Sequence, residues 1–182
     1  MRKIGEISAI ILLLSLSRLV IAIPNLEPIG AAALFGGAML SSKYLKYLVP
    51  LLALFIGDII IASLAPTFSA HLFSPTFVAI YVAFIAAVFI GQKVIGKAPK
   101  VKSVAGGAIL SSVIFFVVTN FVVWMDPTFA LYPKTLSGLS ACYIAAIPFY
   151  KMTLLSNLLF SAIAFGGYAI YRKQVEAKQV IA

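Results

Sequence analysis

Six apolar stretches, separated by short polar or proline-containing breaks, constrain the fold of this chain more than any other feature. A helix needs about 20 apolar residues to cross the roughly 30 Å hydrocarbon core of a bilayer. The stretches run over Ile4–Ile23, Ile29–Leu40, Leu48–Ala65, Thr76–Gln92, Val104–Met125 and Met152–Tyr171. Because only 10% of the residues are charged and 63% are hydrophobic, lipid is the solvent that suits them. The sequence predicts an all-α membrane protein, a bundle of six transmembrane helices in one domain over residues 1–182.

The basic residues fall on alternate breaks between these stretches. With the N-terminus inside, eleven of the 14 basic residues lie on the inner side: Arg2, Lys3, Lys43, Lys46, Lys93, Lys97, Lys100, Lys102, Arg172, Lys173 and Lys178. Since Lys and Arg collect in cytoplasmic segments, we expect both termini in the cytoplasm. The predicted location is the bacterial cytoplasmic (inner) membrane. The net charge of +9 then reflects orientation, and nucleic acid is not an expected partner.

The second stretch is unusually short. Ile29–Leu40 has about 12 residues, or roughly 18 Å of helix, which is too little to cross a bilayer unaided. It contains Gly30, Gly36 and Gly37 and follows a break that holds two prolines. Short or interrupted spans often border a binding cavity in transporters, because freed backbone groups can serve a ligand. The alternative is a structural one, in which neighbouring residues extend the helix and the bundle is locally thin.

The sequence carries no catalytic constellation, and we expect no enzyme activity, no cofactor and no metal site. One histidine, His71, and one cysteine, Cys142, cannot form a zinc site by themselves. The segment Gly91–Ala98 nearly matches a phosphate-binding loop, but Ala98 stands where a Ser or Thr would bind magnesium. If ATP drives transport, another subunit must hydrolyse it. Cys142 is interpreted as a small packing residue or as a soft ligand for a metal centre in a substrate.

Two ionisable residues lie within the predicted spans, where a charged side chain is costly and is a functional candidate by default. Asp58 lies mid-way along the third stretch and is either part of a structural pair or a ligand-binding group. Arg18 lies about one turn from the outer end of the first stretch. It either extends to the lipid headgroups, pairs with Asp58 or Glu27, or meets an anionic substrate.

Further candidates lie in or near the predicted outer loops, and the segment Asp126–Lys151 is interpreted as a long loop that covers a ligand. Aromatic residues at this level anchor helices at the membrane interface, and they can also line a pocket for a flat ligand. The predicted substrate-binding residues are Arg18, Asn25, Glu27, Asp58, Asn120, Trp124, Tyr132 and Tyr143. His71 is more readily a loop residue than a ligand. Gly5 and Ala9 form a small-xxx-small pair that can dock a partner helix.

Several segments resemble a set of bacterial membrane proteins of unknown function that are linked to transport only in general terms. The resemblance rests on Arg18, Pro24–Ala31, Ala33–Ala38, Pro50–Asp58, Tyr132–Leu139 and Phe165–Tyr168. That set in turn resembles the S (substrate-binding) components of energy-coupling factor (ECF) transporters. The resemblance implies a six-helix protein that captures a vitamin or metal ion and works with a transmembrane subunit and two ATPases. Gly5-x-x-x-Ala9, with Glu6 between, replaces the Ala-x-x-x-Ala that S components often carry for docking.

The resulting expectation is an S-component-like transport protein that binds a vitamin-sized molecule from the outer side. Its pocket is expected at the outer ends of helices one, three and five and beneath the segment Asp126–Lys151. Asp58 and Arg18 would set its polarity, and Trp124, Tyr132 and Tyr143 would form its walls. Two alternatives remain open at this point: a self-sufficient ion-coupled carrier or channel that uses Asp58, and a membrane assembly protein without a ligand.

Overall fold

The computed structural model describes residues 2–19, 26–65, 72–127 and 130–181, and helices make up most of this part of the chain. The described residues contain six α-helices. They are α1 (Arg2–Leu16), α2 (Ile29–Met39), α3 (Leu45–Leu64), α4 (Pro75–Ile90), α5 (Val101–Met125) and α6 (Leu136–Ile181). A 3₁₀ turn, Ser17–Leu19, follows α1, and a π turn, Gly91–Ile95, follows α4. The described residues contain no β-strand, so the predicted all-α class is confirmed.

Four of the helices are long and apolar enough to cross a membrane: α3, α4 with its π turn, α5 and α6. The apolar parts of α1 and α2, Ile4–Leu16 and Ile29–Met39, are shorter than a bilayer requires. Many apolar side chains on the long helices face outwards, among them Leu52, Val82 and Ile163. An outer surface of this kind fits lipid rather than water. The length and composition of the helices therefore fit a membrane protein.

The short helix α2 forms the centre of the bundle. All of its 11 residues except Met39 are buried, and it packs against each of the other five helices. A helix that is apolar on every side is stable only when it is surrounded. Phe35 is fully buried and makes edge-to-face contacts with the rings of Phe165 and Tyr168 on α6, with ring centres 5.1 and 5.5 Å apart.

Two glycines bring the backbones of α2 and α4 into direct contact. A Cβ at Gly37 would overlap the carbonyl oxygen of Val88, and a Cβ at Gly91 would overlap the carbonyl oxygen of Leu34. Such close approach permits Cα–H···O contacts and dense packing between helices in lipid. The second half of α2 is therefore fixed tightly against the end of α4.

The helix ends follow from local sequence. Ser74 caps α4 by accepting a hydrogen bond from the Phe77 amide at 3.1 Å, and Pro75 occupies the first helical position. Gly96, with φ of +65°, turns the chain between the π turn and α5. The loops at this end meet, because Lys46 Nζ donates to Gln92 Oε1 at 2.9 Å and Lys97 Nζ donates to Ser41 Oγ at 2.5 Å.

One sequence interpretation is wrong. The segment Asp126–Lys151 was expected to be a loop over its whole length, but α6 begins at Leu136 and continues through Pro148 as a helix of 46 residues. Proline removes one amide donor and crowds the preceding turn, but helices that cross a membrane tolerate it. The described residues between α5 and α6 are 126–127 and 130–135.

Candidate functional site

A cavity of about 210 Å³ lies in the interior of the bundle, at the first turn of α2. Five helices and the residues before α2 enclose it. Its lining residues are Glu27, Ile29, Gly30, Leu54, Asp58, Phe77, Ile80, Phe84, Phe115, Thr153 and Asn157. Apolar and aromatic walls with a few polar groups are typical of a small-molecule site.

Asp58 is the most informative residue in this lining, because its side chain is only 4% exposed. The buried residues of α3 are Pro50, Ala53, Leu54, Gly57 and Asp58, which recur three and four positions apart on one helix face. Asp58 therefore lies on the same buried face of α3 as the apolar residues Ala53 and Leu54. The Tyr81 hydroxyl on α4 donates a hydrogen bond to Asp58 Oδ2 at 2.7 Å. A buried carboxylate held in this way is a functional candidate, because burial of a charged side chain is costly.

Asn157 supplies the second buried polar group, on α6. Its side chain is 5% exposed, and its Nδ2 donates to Ser112 Oγ on α5 at 2.8 Å. A Cβ at Gly30 would overlap Oδ1 of Asn157, so only glycine at that position lets the amide lie against the first turn of α2. The amides of a first helical turn have no acceptor within the helix. The cavity therefore combines a carboxylate, an amide and the positive end of a short helix.

Aromatic rings form the apolar walls. Phe84 and Phe115 lie 5.7 Å apart between ring centres, and Phe77 stacks at 4.6 Å on Tyr81, the donor to Asp58. Glu27 lines the cavity, and its backbone carbonyl accepts a hydrogen bond from Ser156 Oγ at 2.6 Å. This bond joins α6 to the segment that leads into α2.

The structure brings together two of the eight predicted substrate-binding residues, Asp58 and Glu27. Arg18 lies in the turn Ser17–Leu19, but its side chain is outside the described part of the structure. Asn25 and His71 also lie outside the described residues. The predicted role of Arg18 and of Asn25 stays a prediction.

The other four predicted residues lie away from the lining of this cavity. Asn120 donates to the Phe116 carbonyl at 2.8 Å on its own helix and faces a neighbouring gap between α5 and α6, which shares Phe115 and Thr153 with the cavity. Trp124 Nε1 donates to the Pro133 carbonyl at 2.9 Å, and the Tyr143 hydroxyl donates to the Val117 carbonyl at 2.7 Å. Tyr132 lies in the connection before α6. Phe77, Phe84 and Phe115 provide the walls that Trp124, Tyr132 and Tyr143 were expected to provide.

The most informative residues that sequence reasoning missed are Asn157, Ser112 and Tyr81. Their signal was weak but present, since Ser111-Ser112 and Ser156-Asn157 interrupt long apolar stretches. A polar pair at such depth must find a partner within the protein.

Cys142 is buried, with Sγ 3.4 Å from the Asn120 carbonyl. No three His, Cys, Asp or Glu side chains cluster as a metal site within the described residues.

A comparison with protein families places this chain. The model of a family of unknown function, DUF6580, matches residues 2–179. The chain belongs to this family. No curated protein and no solved structure matches it. The DUF6580 match spans nearly all of the chain and includes every residue that lines the cavity.

Proposed function

We propose that this DUF6580 chain is a substrate-binding membrane transport protein that captures a small molecule from the outer side of the bacterial inner membrane for uptake. The observation that carries the proposal is the cavity with two buried polar side chains, Asp58 and Asn157, against apolar walls. Mostly apolar walls with a few buried polar groups that orient a ligand are typical of a small-molecule site. The proposed architecture is a bundle of six membrane segments, as in the S components that the sequence resembles.

The proposed orientation puts the basic end of the bundle in the cytoplasm. Lys46, at the start of α3, and Lys97, after the π turn, form hydrogen bonds at this end with Gln92 and Ser41 respectively. Excess Lys and Arg mark the cytoplasmic side of a membrane protein. Because the cavity lies at the first turn of α2, away from these lysines, it would open toward the outer side. Both termini would be cytoplasmic.

The cavity's size and lining define the kind of ligand. A volume of about 210 Å³ is below the range of roughly 300–1,000 Å³ that holds drug-sized molecules. The ligand would be a small vitamin-sized compound with one polar group toward Asp58 and Asn157. Its flatter part would lie against Phe77, Phe84 and Phe115.

Delivery to the cytoplasm would require a partner, in the manner of an ECF transmembrane subunit with its ATPases. The outer face of α1 supports docking of a membrane helix, because Gly5 and Ala9 are both exposed. A Cβ at Gly5 would meet no atom within 4 Å, so another backbone can approach closely there.

The first test is native mass spectrometry of the protein extracted gently from its host, followed by equilibrium binding to a panel of vitamins. We expect one small molecule per chain in the wild type and its loss in Asp58→Asn. The matched control is Glu176→Gln, which removes one negative charge from an exposed residue that pairs with Arg172. An empty wild-type protein that binds nothing at micromolar concentration would count against the proposal.

A labelling experiment tests the side from which the cavity opens. In a Cys142→Ser background, Thr153→Cys places a thiol in the cavity wall, and Ala32→Cys places one in the fully buried core of α2. A membrane-impermeant thiol reagent added to intact cells should label residue 153 and spare residue 32. Labelling of residue 153 only in inside-out vesicles would reverse the orientation.

The second candidate function is ion-coupled transport by this chain alone. The observation that favours it is the hydrogen bond between Tyr81 and Asp58, because a buried carboxylate of this kind can carry a proton. Uptake into liposomes that contain only this protein, abolished by an uncoupler and by Asp58→Asn, would establish it. Uptake that requires an ATPase partner would rule it out.

A further inference from the structure

A second concave feature, separate from the cavity, lies between α5 and α6 near the basic end of the bundle. This groove has a volume of about 410 Å³, within the range of small-molecule sites. Its lining residues are Pro99, Lys100, Val101, Val104, Ala105, Ala108, Leu158, Ser161, Ala162, Phe165, Gly166 and Ala169. Most of them are apolar, and the cavity described above shares none of them.

Small side chains create the groove. Ala105 and Ala108 on α5 face Ala162, Gly166 and Ala169 on α6, and their spacing of three or four residues forms a stripe on each helix. Ala162, Gly166 and Ala169 are exposed, as are the neighbouring apolar side chains of Ile109 and Ile163. In a membrane this surface faces lipid, so the slot has the width and polarity for a hydrocarbon chain.

One end of the groove is positively charged. Lys100 lines it, and Lys102 follows on the first turn of α5. Both side chains are exposed. By contrast, the ammonium groups of Lys46 and Lys97 donate hydrogen bonds to Gln92 and Ser41. The groove therefore has one positively charged end and one apolar end, which matches an amphipathic molecule with an anionic head and an apolar chain.

We propose that this groove binds an anionic phospholipid, with an acyl chain between the small residues and the phosphate at Lys100 and Lys102. Basic pockets between membrane helices on the cytoplasmic side hold acidic headgroups, and each juxtamembrane Lys strengthens that attraction. The proposal goes beyond substrate capture and depends only on placement of the chain in a membrane. A partner helix is disfavoured as the occupant because charge is confined to one end of the groove.

The test compares phosphatidylglycerol with phosphatidylcholine, offered together in mixed micelles and read out by native mass spectrometry of retained lipid. The wild type should retain phosphatidylglycerol preferentially. The double variant Lys100→Gln/Lys102→Gln should lower that retention about 30-fold, because each basic residue near a membrane surface contributes about 1 kcal/mol. Lys43→Gln/Lys93→Gln is the control, because it removes the same charge from the same end of the bundle.

Two glycines provide a variant and a matched control for the apolar part of the groove. Gly166 lines the groove and Gly167 does not, yet a Cβ at either position would meet no atom within 4 Å. Gly166→Leu should fill the slot and reduce lipid retention, whereas Gly167→Leu should leave it unchanged. Equal retention of the two lipids by the wild type, or equal loss in a variant and its control, would overturn the proposal.

Discussion

The two ends of α2 have opposite surroundings. At its second half, Gly37 and Gly91 press the backbones of α2 and α4 together, and no space remains between them. At its first turn the same helix borders a cavity that contains Asp58 and Asn157. The difference follows from length, since 11 residues make about 16 Å of helix in a core of about 30 Å. A central helix that fills only half of the depth leaves room for a polar site in the other half.

The largest effect should come from the tightly packed end. In Gly37→Ala the added Cβ overlaps the carbonyl oxygen of Val88, which is backbone and cannot rotate away. We expect a loss of stability of about 3 kcal/mol or more, because overpacking forces the helices apart. The apparent unfolding temperature of the purified protein measures it. Gly167→Ala is the control, and equal stability of the two variants would contradict the close approach.

At the cavity end, Asp58→Asn should impair binding while leaving the fold intact. Asparagine keeps the size of the side chain but removes its negative charge. The Tyr81 hydroxyl donates a hydrogen bond to this charged group, and a ligand would bind it as well. A hydrogen bond to a charged group contributes about 1.5–3 kcal/mol, so affinity for the host-derived ligand should fall roughly 10- to 100-fold. Isothermal titration with that ligand measures the change. An unchanged dissociation constant would place the ligand elsewhere.

A pair of asparagines separates the cavity from the neighbouring gap. Asn157→Ala should lower ligand affinity about tenfold, because it removes a buried amide from the cavity wall. Asn120→Ala should change affinity less than about twofold, since Asn120 bonds to its own helix at the Phe116 carbonyl. Titration of both variants with the same ligand tests the contrast. The reverse order of effects would favour the gap between α5 and α6 as the binding site.

The smallest expected effect is on the hydrogen bond behind the cavity. Ser112→Ala removes the acceptor of the Asn157 amide and should cost about 0.6 kcal/mol, the average for such bonds between membrane helices. A double-mutant cycle with Asn157→Ala isolates the coupling. Fully additive changes in unfolding free energy would show that this bond does not support the site.

Much of the helical architecture could be predicted from apolar runs alone. The start of α2 at Ile29 and the end of α5 at Met125 coincide with the predicted boundaries, and four long apolar helices are present. Six membrane spans and the cytoplasmic location of the termini stay predictions. The beginning of α6 could not be predicted, because the prolines and tyrosines of Asp126–Lys151 are typical of a loop, whereas the helix begins at Leu136 and includes Pro148.

The site was predictable where a single residue stood out from its surroundings. Asp58 is an ionisable residue inside an apolar helix, and it does line the cavity. Trp124 and Tyr143 donate hydrogen bonds to backbone carbonyls in the folded chain, and their role in ligand binding stays a prediction. The sequence does not predict Asn157 as a ligand residue. Its side chain lies against Gly30, which is distant in sequence, so only the folded chain brings the two together.

The length of α6 has a mechanical consequence. The part of this helix after Pro148 reaches from the cavity wall at Thr153 to beyond the basic end at Ile181. Its 33 residues form a rod of about 50 Å, so a change of 10° in direction at Pro148 displaces the far end by about 9 Å. A subtle rearrangement around an occupied cavity would thus become a displacement on the opposite side, large enough for another protein to sense.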